Sequence, residues 1–538
     1  MIRIMNLKMA IERPETHLKS VAAKYLHIEE SDILSFTIEK KSLDARPRSD
    51  GNILYTYSVD LETVNEEEIL AKNINNVRAV KAIVYTPPKT ITNPPKLRPI
   101  VVGAGPAGLA AGLLLAECGY APIVIERGEN IEERTESVEN FGRRGFKLNS
   151  NIQFGEGGAA AFSAGLFRKF TKDERIRKLM ADVLLTPEVD PAAFYDDQTF
   201  LGSDVVTKIV KNIRDRITDF GGEIIYNTYV ENLLVVSGEV KGVITEDARV
   251  HYSDHVVIAT GLAARDTYRM LHSHQVEMMP MPFAIGLRIE HPKEVLNRAQ
   301  YREYAFHPNL KPAGYSLSHH TKSGRNVYPF AISPGGQLIP SATEYGGLMV
   351  SGTTKSTMSL PNTNSALVVQ LNLNDFEGGP DDIFAGVEFQ RKLEHKAFVM
   401  GGSNYMAPAQ LLGDFMNKQP STAIGSVKPS YGLGVTLCNL HDLLPDFICD
   451  ALIEAIKSFG KKVRGFDMPD AVLTGIESRP AAPIRVIRDK TTLQSPSIQG
   501  LFLAGDGTGY ASGIISSHVD GIKVAEAVIA SYEALEQV

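Results

Sequence analysis

Three glycines in this sequence stand at a spacing that can cradle a pyrophosphate. The stretch from Pro99 to Gly112 carries Gly103, Gly105 and Gly108 in the order G-x-G-x-x-G. Gly103 permits a tight turn off the preceding apolar run. Gly105 offers no side chain to an approaching phosphate, and Gly108 lets helix and strand pack closely. Pro106 and Ala107 then open a helix whose free N–H groups point at the phosphates. The helix reads to about Gly119, and a second strand, Ile123-Val124-Ile125, ends on Glu126 and Arg127. Glu126 lies 18 residues beyond Gly108, where a carboxylate takes the ribose hydroxyls of a dinucleotide. The uncharged run from Pro99 to Ala116 is also long enough for a membrane span, but three glycines and a proline in its first half argue for the turn.

More residues of this kind follow. Asn151 to Gly165 is dense in glycine and holds Gly157, Gly158 and Ala159 between Phe154 and Phe162, which reads as backbone lying along the cofactor. Val230 opens a hairpin strand placed with the same group. The strand from Asp254 ends in Ala259-Thr260-Gly261, a glycine turn at a carboxyl end, where ligands of open α/β sheets lie. A third such turn, Gly505-Asp506, ends the strand that starts at Gly500. The last helix then begins at Gly513, Ile514 and Ile515, with its positive end toward an open site. Just ahead stand Glu477, Arg479, Arg485 and Arg488. Arginines here can clamp a carboxylate or phosphate bidentately, or form an ion-pair network on a connection. Arg479 and Arg485 are therefore candidate catalytic residues. Tyr510 and His518, around the start of the last helix, are candidate acids or bases, with a core role as the alternative for His518. Arg46 and Arg48 read as a solvated loop rather than an anion site.

The elements that must hold these residues divide the chain. Residues 1–95 form a small α+β unit, ferredoxin-like in its expected fold, with strands at Ile33–Glu39 and Ile53–Leu61 and a helix at His17–Leu26. A proline-rich linker, Thr86 to Lys96, follows it. Residues 96–265 are the first part of a Rossmann-like α/β nucleotide domain, with a helix over Ser203–Phe220. Residues 266–465 read as an inserted α+β substrate domain, and 466–538 as the C-terminal part of the nucleotide domain.

Composition narrows the function. With 538 residues, 43% hydrophobic and 22% charged, the chain is an ordinary globular one. A net charge of −7 gives no reason to expect nucleic acid. Cys118, Cys438 and Cys449 make no C-x-x-C, no C-x4-C and no metal site. His319 and His320 are adjacent and point different ways, a poor metal pair. No signal pattern stands at the N-terminus, so a cytoplasmic location is the expectation, with no membrane partner.

The fingerprint, the Ala-Thr-Gly strand end and the C-terminal Gly-Asp turn together resemble the glutathione-reductase-like superfamily of FAD proteins. The resemblance extends over nearly the whole chain. Ser42–Arg46, Phe154–Gly158, Ser333–Gly336, Asn364–Ala366, Tyr405–Gln410, Gly475–Arg479 with Pro483–Arg485, and Gly509–Gly521 look like the uncharacterised bacterial FAD-dependent (FAD-utilising) dehydrogenase family. The family pattern has Asp where this chain has Ala164, Cys where it has Ser333 and Glu where it has Asp506. The resemblance implies FAD as cofactor, Asp506 on the ribityl chain, and the last helix aimed at the flavin N1–C2=O edge. It implies an FAD-dependent oxidoreductase moving a hydride through the flavin on a small organic substrate. No second fingerprint offers a NAD(P)H domain, so NAD(P)H enters as a transient reductant or the substrate itself reduces the flavin. The alternative is a flavin-binding protein with a vestigial or regulatory redox role and a partner-binding N-terminal unit. The departures at Ala164 and Ser333 feed that alternative.

Overall fold

The computed structural model describes residues 1–46, 52–167 and 173–536; Arg48 lies outside them. The centre is a five-stranded parallel sheet of short, β-branched or leucine-rich runs, of which Ile100–Val102, Val256–Ile258 and Leu501–Leu503 are buried on both faces. Its order is Glu223–Ile225, Ile123–Ile125, Ile100–Val102, Val256–Ile258, Leu501–Leu503. Alternation along these strands sends Val101, Val124, Val257 and Phe502 to one side. Ile100, Val102, Ile125, Ile258 and Leu503 go to the other. The first side is covered by the helices Pro106–Glu117, Ser203–Asp219 and Ile514–Glu536. The second is covered by a three-stranded antiparallel sheet, Val230–Val236, Glu239–Thr245 and Val250–Tyr252, and by the helix Arg265–Ser273. The run weighed above as a membrane span is thus a strand, a turn and a helix. No helix among the described residues is long and apolar enough to cross a membrane.

A seven-stranded mixed sheet stands beside this layer. Its order is His319–His320, Asn326–Ser333, Asn362–Gln370, Ala284–Pro292, Val472–Glu477, Ala407–Leu411, Val435–Leu437. All neighbours are antiparallel except the last pair. The expected division at 465/466 falls ahead of Val472–Glu477, a strand inside this sheet. Ile285, Leu287 and Ile289 of the strand Ala284–Pro292 join the core beneath the helix Asp446–Lys462. The period of two then turns Arg288 to the opposite face.

The N-terminal strands run Ile33–Asp44, Leu54–Thr63, Ile2–Ala10, Val77–Ala79 across an antiparallel sheet, with helices at Leu18–Leu26 and Glu66–Ala71. That is the β-α-β-β-α-β order of a ferredoxin-like motif. Its core takes in Tyr301 and Ala313 from the neighbouring unit. The backbone N–H of Lys41 donates to Tyr195 O at 2.6 Å. The Lys41 ammonium reaches Glu15 at 2.6 Å and lies over the Tyr55 ring.

Candidate functional site

The turn after Ile100–Val102 is built for close approach. A Cβ on Gly108 would sit 1.8 Å from Gly103 O, so only glycine permits that packing, whereas a Cβ on Gly105 would meet nothing nearer than 3.9 Å. The open space beside Gly105 belongs to a cavity of about 280 Å³ that runs between the parallel and mixed sheets. Two helix N-termini open on it. Gly105, Pro106 and Ala107 come from the first, and Ser512, Gly513 and Ile514 from the last.

Most of the expected cofactor residues are brought to this one space. Gly103, Gly105, Pro106, Ala107, Glu126, Arg127, Gly158, Ala159, Val230, Ala259, Thr260, Gly261, Gly505, Asp506, Gly513 and Ile514 all line it. Gly108 is buried inside the first helix, Gly157 donates its N–H to Ala104 O at 2.8 Å behind the wall, and Ile515 belongs to the helix-side core. Glu126 is buried and accepts from the N–H groups of Ala104, at 2.8 Å, and of Gly128 and Gly155, at 3.0 Å each. It therefore fixes the turn and the glycine-rich loop as well as facing the cavity. Arg127 pairs bidentately with Asp266 at 2.9 and 3.0 Å and lies between the rings of Phe154 and Tyr229.

Two residues that the sequence did not single out position these loops. Arg134 is fully buried and donates to the carbonyls of Asn151, Ile152, Gly155 and Glu156, holding the loop against the cavity. Burial pushes its guanidinium down to about 10. Asp520 accepts from Gly505 N–H at 2.8 Å and pairs with Arg488 at 2.6 and 3.0 Å, pinning the Gly505–Asp506 turn. Both sit at ordinary helical positions, so no local signal marks them.

Asp506 has no side-chain hydrogen-bond partner among the described residues, and burial pushes its carboxyl up to about 7. An unpaired acid on a cavity wall is suited to hydroxyl donors. With the bare approach at Gly105 and the two helix ends, it makes a donor and acceptor set that fits FAD.

The candidate catalytic residues separate. Arg479 lines the cavity, bound to Glu394 through Nε and Nη2 at 2.8 Å each and to Thr343 at 2.7 Å. Glu394 also pairs with Arg265 at 2.9 Å. Burial raises its carboxyl, and the two guanidiniums more than reverse this, holding it at about 2. Arg485, Tyr510 and His518 are not among the lining residues. Arg485 donates to Gly509 O at 3.2 Å; the Tyr510 ring lies beneath the Arg488 guanidinium, and the Tyr510 hydroxyl accepts from the Arg488 backbone N–H at 3.2 Å. His518 is buried, and desolvation with Lys178 and Arg216 pushes its imidazole down to about 3, so it stays neutral near pH 7. Arg288 and Glu477 do line the cavity, joined at 2.8 Å. Burial pushes Glu477 up, partly offset by Arg288. Arg288 was missed; its only sequence signal is a single charge inside the apolar run Ala284–Ile289. Ala164 packs with Phe200 and Met358, and Ser333 is buried without lining the cavity. His319 bonds Glu454 and His320 bonds Asn326, and no metal-holding cluster occurs among the described residues.

Fold and site define a class: residues 282–480 match the family model described as FAD-dependent protein, C-terminal domain-like. Residues 1–62 match a domain of unknown function (DUF8436). An uncharacterized protein of Clostridium beijerinckii is 40% identical over 540 residues, covering 99% of each chain, and the chain belongs to its family. Among solved structures, L-proline dehydrogenase from P. horikoshii is similar at 11% identity and a TM-score of 0.33, covering 81% of this chain and 94% of that one. A probable FAD-dependent monooxygenase from Pseudomonas aeruginosa is similar at 13% identity and a TM-score of 0.36, covering 82% and 88%. Likeness at that level says nothing about substrate.

Proposed function

We propose that the protein is an FAD-dependent oxidoreductase that moves a hydride to or from a small organic substrate. One observation carries this. The cavity that collects the expected cofactor residues is continuous with a wall of the mixed sheet bearing Arg288, Glu477 and Arg479. When bound, FAD supplies the two-electron chemistry. In this reading the helix end at Gly105–Ala107 receives the pyrophosphate, and Asp506 accepts from the ribityl hydroxyls. The N-terminus of Ile514–Glu536 favours negative charge on the flavin edge by about 0.3–2 kcal/mol. Arg288, Glu477 and Arg479 hold the substrate against it, with Phe330 and Met349 excluding water. Arg485, Tyr510 and His518 take no part in touching substrate. Ala164 and Ser333, the departures that feed the flavin-binding, non-catalytic alternative, are not among the residues lining the cavity.

The visible absorbance of the purified protein tests the reading. A flavin band that bleaches anaerobically with NADH or NADPH supports an oxidoreductase with a nicotinamide donor. A band that persists points to a substrate-reduced enzyme or to the non-catalytic alternative. No band after reconstitution with FAD defeats the proposal.

A further inference from the structure

Arg288 and Glu477 leave polar atoms that the cofactor reading does not use. They stand on adjacent strands of the mixed sheet, and both line the cavity. A single bond joins them, Nε to Oε2 at 2.8 Å. Nη1 of Arg288 donates to Ala331 O at 2.8 Å and to Asn364 Oδ1 at 3.3 Å. Among the described residues, Arg288 Nη2 and Glu477 Oε1 have no hydrogen-bond partner. Buried charged groups normally satisfy every polar atom, so leftover atoms on a cavity wall await a ligand. The pair offers an N–H donor edge beside an acceptor. Phe330, Met349 and Pro480 line the same region and suit an apolar remainder.

We propose that Arg288 and Glu477 recognise a substrate bearing a carboxylate with an N–H or O–H donor close beside it, the chemistry of an amino or hydroxy acid. The carboxylate accepts a charge-assisted hydrogen bond from Arg288 Nη2, the guanidinium nitrogen left without a partner among the described residues, and the neighbouring N–H or O–H donates to Glu477 Oε1. The proposal rests on the oxidoreductase reading, because it assigns the substrate side of that cavity.

The test titrates the FAD-loaded protein with benzoate, benzamide, 2-aminobenzoate and 2-hydroxybenzoate. The readouts are the perturbation of the flavin spectrum and the melting temperature. Benzoate is expected to bind about tenfold or more tightly than benzamide, as a charge-assisted bond outweighs a neutral one. A 2-amino or 2-hydroxy group is expected to tighten binding by a further few fold, roughly one added hydrogen bond, and whichever gains more identifies the donor. Arg288→Met removes the preference for benzoate over benzamide. Glu477→Gln keeps that preference but loses the gain from the 2-substituent, because its amide oxygen stays with Arg288 and its NH2 replaces the acceptor. Equal affinity for benzoate and benzamide, or no binding by a flavin-loaded protein, overturns the proposal even if neither variant folds. A preference that survives in Arg288→Met overturns it too. A chain that takes up no flavin overturns the oxidoreductase reading instead, and the melting-temperature titration with the same acids then still tests the dyad.

Discussion

At the scale of single residues, the glycines of the fingerprint make opposite predictions. Gly108→Ala drives a methyl into the Gly103 carbonyl, so the apoprotein is expected to melt well below the parent and hold little flavin. Gly105→Ala meets only open space, so the apoprotein melts as the parent does while flavin occupancy falls. Calorimetry paired with the ratio of flavin to protein absorbance reads both. Asp506 gives a pH signature. Its folded carboxyl titrates near 7 against an ordinary 3.8, so the folded apoprotein binds more protons than the unfolded chain between those values. Its contribution to stability is full below 3.8 and is lost as pH rises toward 7. His518 works the other way, losing stability as pH falls from 6.5 toward 3. The difference in melting temperature between parent and Asp506→Asn isolates the first effect. The variant is expected to gain on the parent as pH climbs from 4.5 to 7; a constant difference would show that Asp506 titrates normally.

Between elements, one buried carboxylate joins three. Glu394, on the helix Ala385–Gly401, bonds Arg265 from the helix Arg265–Ser273 and Arg479 just past the strand Val472–Glu477. Glu394→Gln leaves two buried guanidiniums facing each other without their shared charge, a loss of about 3–5 kcal/mol. Denaturant unfolding of the holoprotein measures it, with an accompanying weakening of carboxylate binding as Arg479 loosens. An ion-pair network at Arg479 was legible beforehand, whereas its partners Glu394 and Arg265 were not. The glycine turns, the strand Ile123–Ile125, the helix from Ser203 and the last helix could be read because their signals are local: an apolar period, a cap, a breaker. Arg479 and Arg485 differ by only six positions, yet one faces the cavity and the other bonds a carbonyl outside it. Which face each takes depends on strand partners distant in sequence. The same reason hid Arg288, whose role appears only when Val472–Glu477 pairs beside it.

For the whole molecule, the N-terminal unit is more than a bead on a linker. Its core is completed by Tyr301 and Ala313, and its edge is tied to Tyr195 through Lys41. A fragment of residues 96–538 is therefore expected to expose apolar surface, bind a hydrophobic dye and self-associate on gel filtration. A monodisperse fragment that binds no dye would show that the contact is dispensable. The Pro-rich stretch before the fingerprint suggested separability, because docking surfaces leave no periodic trace in sequence. The parallel sheet holds a consequence for biosynthesis. Its edge strand Leu501–Leu503 pairs with Val256–Ile258, and the cleft closes with Gly513 and Ile514 from the helix that ends the described chain. A nascent polypeptide can fold its glycine turn early but has no complete cleft until residues 501–514 have been made. A chain cut ahead of Leu501 is therefore expected to take up no flavin and stay colourless.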